Sequence, residues 1–231
     1  MSEKKKNLFV LSILAIAFLF CSVAALAAEG KKRVILIDPA HGGKETGLKL
    51  NDDVAEKDIT LAVALMIRKE LASDKTVTVV LTRDTDKKVG LAERRTIIEK
   101  TGPDCVLSLH VNGGFGKEAA GFEVYYPECG DSPVGKEKTA QSSLTAPQKK
   151  CRNDSLKMAK IVQDNFNIVF PRKGRGMRKA DLPVTDGLFV PAVSVEMGFA
   201  TNPDEKKKLL SAKTQTDMAR ALANSIKTFY R

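Results

Sequence analysis

The feature that most constrains the fold is an alternation of short apolar, β-branched runs with stretches of helical periodicity. Val34-Ile35-Leu36-Ile37 is followed by apolar residues at Ile59, Val63, Met66 and Ile67, the spacing of one helix face, within Ile59 to Leu71. Val77 to Thr82 repeats the strand pattern, Leu91 to Lys100 the helical one, and Val106 to Leu109 is a third strand. Gly121 to Tyr126 alternates like a half-buried strand, Ser155 to Phe170 reads as helix, and Ala192 to Val195 as another buried strand. Asp204 to Tyr230 supplies one or two closing helices, with Asn202-Pro203-Asp204 as the start signal. Strands apolar on both sides need cover on both faces, so the expectation is a three-layer α/β domain, a mostly parallel sheet with helices on both faces. The 231 residues are 43% hydrophobic and 29% charged, enough to fill one sizeable core, and no repeat or long linker provides for a second. A single domain over residues 28–231 is expected.

Residues 1–27 stand apart. Lys4-Lys5-Lys6 precedes an apolar run from Leu8 to Cys21 and the small-residue stretch Ala24-Ala25-Leu26-Ala27-Ala28. That order is a secretory signal peptide with cleavage expected after Ala27, the run being shorter than the roughly 20 residues of a membrane anchor. An uncleaved anchor is the alternative; lipid attachment at Cys21 fits less well, because Phe20 is bulky where processing needs a small residue. Export to an oxidising compartment permits disulfides. Cys105 opens an apolar strand and reads as a small buried hydrophobe, whereas Cys129 and Cys151 flank a polar segment and are positioned to pair. The formal net charge is +10, and three Lys less Glu3 account for two of it in the leader, so the mature chain is basic. Outside the cytoplasm its anionic partners are wall polymers or lipid headgroups. Nucleic acid is not expected, because the densest basic cluster, Arg172, Lys173, Arg175, Arg178 and Lys179, has no interleaved aromatic for stacking and reads as a solvated loop. Nothing indicates an oligomer, and a monomer is expected.

Ligands of open α/β sheets bind beyond the carboxyl ends of the strands. The chain has two histidines, and both fall there: His41 past the first strand and His110 directly after Val106 to Leu109. Glu196 occupies the same place after Ala192 to Val195, and Glu56 reaches that edge if the intervening Gly-containing loop folds back. Two imidazoles and one carboxylate form a tripod for catalytic zinc that leaves a position for water, and a second, unligated carboxylate supplies the base. Glu56 reads equally well as a helix N-terminal acid favoured by the macrodipole. Glu196, ending an apolar strand, needs a partner or a function.

At these residues the sequence resembles the zinc-dependent N-acetylmuramoyl-L-alanine amidases of the cell-wall amidase-3 family. The resemblance runs through residues 34–43, Glu56-Lys57-Asp58-Ile59, Leu81-Thr82-Arg83-Asp84, and Leu91 with Glu93-Arg94. It resumes at Leu107 to Asn112, Gly121 to Tyr126, and Pro191 to Phe199 through Asn202-Pro203. It implies that His41, Glu56 and His110 bind one zinc ion and that Glu196 is the catalytic carboxylate. The implied reaction is zinc-assisted hydrolysis of the amide between the lactyl group of N-acetylmuramic acid and L-alanine of the peptidoglycan stem. Ala40 stands where the family has Gly, and Val111 and Gly113 replace small residues around Asn112, departures that touch the groove rather than a reactive group.

Other readings stay open on the residues alone: a zinc peptidase or other wall hydrolase, or a metal-free wall-binding module. Asp38 and Asn112 are candidates to orient ligands or substrate, with an ordinary turn role equally available. Arg83 and Arg94 read as structural, lying away from the strand ends that carry the metal. Pro127 to Asp154, 28 residues with few large apolar side chains, is expected to be a surface loop near the groove. Regulated relatives carry a blocking helix at this place; here the insertion is too short and polar for one. A Cys129–Cys151 bridge across it would contribute about 3 kcal/mol by restricting the unfolded chain.

Overall fold

In the computed structural model, which describes residues 32–129, 144–171 and 173–231, the chain from Arg33 onward builds one six-stranded sheet. The expected signal peptide, residues 1–27, lies outside the described residues, and so do 130–143 of the polar insertion. The elements are β1 (Arg33–Pro39), α1 (Glu56–Glu70), β2 (Val77–Leu81), α2 (Leu91–Thr101), β3 (Cys105–Asn112), β4 (Phe122–Tyr126), α3 (Ala146–Val169), β5 (Gly174–Lys179), β6 (Ala192–Phe199), α4 (Pro203–Leu210) and α5 (Ala212–Phe229). Strand order is β2-β1-β3-β6-β4-β5. The first four run parallel, β4 is antiparallel to β6, and β5 is parallel to β4. The mostly parallel three-layer sheet is therefore present, with two reversed strands at one edge.

Alternation along the central strands sends one set of side chains to each layer. Ile35, Ile37, Leu107, Leu109, Val193 and Val195 face α1, α3 and α5 and form the larger core with Val63, Met158, Phe166 and Leu222. Leu36, Val106 and Ala192 face the other way, onto Ile98 of α2 and Leu182 of the segment before β6. This second face is apolar only at the amino-terminal half of the strands. Two residues further along it carries Asp38, Ser108 and Ser194, and two further still His110 and Glu196. A β-strand that starts in the core thus ends in chemistry on the same face.

Three expectations need correction. α3 begins at Ala146, nine residues before the predicted Ser155, so part of the polar insertion is helix. Its start is capped: the Thr145 hydroxyl accepts from the Gln148 N–H, the Gln148 side-chain carbonyl accepts from the Thr145 N–H, and Pro147 sits in the first turn where no intrahelical N–H is needed. Second, the basic cluster is not simply a loop, because Gly174–Lys179 is an edge strand whose exposed charges protect an open sheet edge. Third, β3 and β6 run past Leu109 and Val195, so His110 and Glu196 lie within strands and are register partners rather than loop residues. Cys129 and Cys151 form a disulfide with Cα atoms 6.0 Å apart, joining the end of β4 to the first turns of α3, and Cys105 is a buried free thiol.

Candidate active site

Glu56 is the fixed point of the site. It is the first residue of α1, where backbone N–H groups lack intrahelical acceptors. The loop after β1 supplies them: the Glu56 and Lys57 N–H groups donate to the Leu48 and Thr46 carbonyls, and this folds residues 41–55 back over the sheet edge. The Glu56 carboxylate is buried, its Oε2 accepting from the Leu48 N–H at 3.1 Å and its Oε1 from the Val111 N–H at 3.0 Å. His41 Nε2 lies 3.2 Å from Oε2 and His110 Nδ1 3.5 Å from Oε1. Burial works to raise the Glu56 pKa, but hydrogen bonds from His110, His41 and Val111 overcome it and hold the group at about 2.

His41 is presented by a backbone that L-residues rarely adopt, with φ of 61°. Two buried arginines hold it there. Arg94 donates to the His41 carbonyl at 2.7 Å and pairs with Asp38, while Arg83 donates to the Pro39, Ala40 and Lys57 carbonyls. Both are structural, as expected, but not remote: they grip the main chain on either side of the loop after β1. Asp38 anchors Arg94 and Thr82 and does not touch His41, Glu56 or His110 by any hydrogen bond. Asn112 donates to Glu123 Oε2 at 2.9 Å. The glycine at 47, with φ of 66°, permits the loop's close approach: a Cβ there would lie 2.5 Å from Glu56 Oε2 and 2.6 Å from His41 Cδ2.

One donor atom from each of His41, Glu56 and His110 can be chosen so that all lie within 4.8 Å of one another. Two imidazole nitrogens and a carboxylate oxygen, with backbone N–H groups already orienting the carboxylate, are a donor set suited to a divalent metal ion. Glu196, on the strand next to His110, is the fourth predicted residue, and its Oε2 is buried with no hydrogen-bond partner among the described residues. Burial raises its pKa to about 7; Glu56 and Glu123 push the same way, while the two histidines oppose them. A cleft of about 250 Å3 opens beside it, lined by Ser108, His110, Tyr125, Ser194 and residues 180–183 as well as Glu196.

Sequence reasoning missed Glu123 and Arg175. Glu123 is the register partner of Glu196 on β4 and is buried. Burial favours its neutral form, but Tyr125 and Arg175 hold its pKa below the ordinary carboxylate range. Glu123 alternates with the core residues Phe122 and Val124, so the sequence pattern alone reads it as solvent-facing.

The sequence profile of the N-acetylmuramoyl-L-alanine amidase family matches residues 35–228, all but the first two residues of β1 through nearly the end of α5. N-acetylmuramoyl-L-alanine amidase CwlM of Bacillus licheniformis is 32% identical over 194 residues, covering 83% of this chain and 66% of the relative. The amidase AmiA of Escherichia coli K12 is 28% identical, covering 87% of this chain and 78% of the relative. The solved structure of amidase AmiC2 of Nostoc punctiforme superposes with a TM-score of 0.71 at 28% identity, covering 87% of this chain and 99% of that one. The matched region contains the His41, Glu56, His110 and Glu196 constellation, and the chain belongs to the N-acetylmuramoyl-L-alanine amidase family.

Proposed function

We propose that His41, Glu56 and His110 hold a single zinc ion and that Glu196 is the proton carrier in hydrolysis of the amide joining N-acetylmuramic acid to L-alanine. The reaction itself is that of the family to which the chain belongs. Among divalent ions zinc suits a nitrogen-rich set of three protein donors with no thiolate. When bound, it would polarise the scissile carbonyl and make a hydroxide-level nucleophile available at neutral pH.

The observation that carries the reading is the Oε2 of Glu196, buried beside a cleft with no hydrogen-bond partner among the described residues and next to His110 in register. An oxygen with no donor is free to take a proton from the attacking water. A pKa near 7 lets the same oxygen give that proton to the departing amine nitrogen without a large energetic step in either direction. His110 and Glu196 stand on neighbouring strands of a rigid sheet, so their spacing is set by backbone hydrogen bonds rather than by loops. We further propose that residues 1–27 direct export and that the domain over residues 28–231 works on wall peptidoglycan outside the cytoplasm, as the reaction requires.

The test separates ligand from base. Glu196→Gln is expected to keep about one zinc per chain while peptidoglycan turnover falls by about two orders of magnitude or more. His41→Ala, Glu56→Ala and His110→Ala are each expected to lose metal. Loss of zinc in Glu196→Gln would reassign the roles, and mass spectrometry of the released ends that showed a cut elsewhere in the stem would replace the amide assignment.

A further inference from the structure

The proposed reaction leaves a second charged cluster unused, one strand away from Glu196. Glu123 Oε2 accepts the Tyr125 hydroxyl at 2.7 Å and the Asn112 amide at 2.9 Å. Its Oε1 accepts Arg175 Nε at 2.9 Å, and the Arg178 guanidinium lies 3.4 Å from the same oxygen. Two guanidinium groups therefore meet one buried carboxylate, leaving a surplus positive charge. Lys179, next along β5, is already matched by Glu128 at 2.9 Å.

Arg175 contributes only Nε to this pair. Its terminal amino groups make no hydrogen bond among the described residues, and its side chain is 41% exposed. It is not free to wander, because its guanidinium also lies 5.1 Å from the centroid of Phe199, a cation–π contact. Phe199 lies past an irregularity in the pairing of β3 with β6: His110 pairs with Glu196, but Asn112 pairs with Phe199, so β6 has one extra residue between the two pairs. The result is a part-exposed guanidinium fork fixed by a hydrogen bond and a ring, with two terminal amino groups not bonded among the described residues, one strand away from Glu196. A fork held in this way has already lost the side-chain freedom that binding an anion would otherwise cost.

The chemistry of the substrate says which anion fits. The carboxyl of muramic acid is consumed in the scissile amide, so the N-acetylated glycan beside it is neutral and the free carboxylates belong to the stem peptide. We propose that Arg175 and Arg178 recognise a free carboxylate of an acidic stem-peptide residue, seating the peptide rather than the glycan on the β4–β5 side of Glu196. This rests on the amidase reaction proposed above. Planar guanidinium and carboxylate groups match in a two-point hydrogen bond, which a carboxamide cannot reproduce.

Two synthetic muropeptides that differ only in whether this acidic side chain is free or amidated provide the test. The native zinc-loaded chain is expected to favour the free acid at least tenfold in kcat/KM, mostly through KM. Arg175→Ala, Arg178→Ala and the double variant should bring that preference toward one, and Arg175→Lys should restore part of it. Equal kcat/KM for the two muropeptides in the native chain would overturn the site and requires no variant to fold. So would a preference that survives the double substitution. Calorimetric binding of both muropeptides to Glu196→Gln separates this inference from the reaction: if neither is cleaved by the native chain while the acid still binds tenfold tighter, the reaction falls and the site stands.

Discussion

Glu196 is costly to the fold it sits in. Its pKa near 7 lies well above the ordinary 4.5, so folding favours the protonated form. Stability contributed in this way is fully present below about pH 4.5 and is lost as pH rises through 7, amounting to about 3 kcal/mol at pH 8 in the metal-free protein. Glu196→Gln is therefore expected to stabilise the metal-free domain by up to about 3 kcal/mol at pH 8 and by little below pH 4.5, measured by denaturant unfolding across that range. A pH-independent effect would mean that the carboxylate is solvated or paired in solution. His110 and Glu196 were legible in the sequence because a β-strand that runs apolar for four residues and then presents His or Glu has no structural use for either, whereas Glu56, at a helix start, was singled out only by the family resemblance. Glu123 was not, since an acid in an alternating strand reads as solvent-facing until the neighbouring strand is known. The neighbour is β6, and only the reversed direction of β4 puts Glu123 opposite Glu196.

At the level of elements, the site depends on the loop after β1 folding onto the start of α1, which takes glycine at a defined place. The Cβ of an alanine at 47 would press on both Glu56 and His41, two of the three proposed ligands, in a backbone region with φ of 66° that alanine disfavours. Gly47→Ala is expected to weaken zinc binding by about ten- to a hundredfold, the scale on which groups that orient metal ligands act. A competitive chelator titration measures it, and unchanged affinity would show that the loop relaxes at no cost to the ligands. The same elements explain what the sequence conceals. β1, α1, β2 and α2 follow their apolar periodicity and fall close to where it predicts, and β3 does so up to Leu109 before running on to Asn112. The first turns of α3 do not, because Ala146 to Asp154 is mostly polar and its inward residues, Gln148 and Cys151, are held by capping and a disulfide rather than by an apolar stripe. β5 escapes for a related reason: with Gly174, Gly176 and three basic residues it has no strand propensity of its own and is defined by pairing with β4.

On the scale of the whole molecule, a metal at this site would tie together the loop after β1, the start of α1 and the end of β3, pieces that are 69 positions apart in sequence from His41 to His110. Such a ligand binds only the folded chain, and at a thousand times its dissociation constant it adds about 4 kcal/mol of stability. The pH dependence of the metal-free domain runs the opposite way. Desolvation pulls the His110 pKa down, but its hydrogen bond to Glu56 and the surrounding carboxylates raise it above the ordinary 6.5. That stabilisation is present below the unfolded pKa and disappears as pH rises through the folded one, the same direction as Glu196. Glu56, held at about 2, contributes stability above 4.5 that is lost only as pH falls through the acid range toward 2, so it does not offset either between pH 5 and 8. Metal binding needs His110 neutral and must displace its proton, so the ion binds most tightly where the empty site is least comfortable. The difference in melting temperature between zinc-loaded and chelator-treated protein is accordingly expected to be small near pH 5 and to widen steadily to pH 8, chiefly because the metal-free midpoint falls. Scanning calorimetry at fixed free zinc over that interval decides it: a gap that stayed constant, or closed as pH rose, would mean that the three residues do not share an ion in competition with protons.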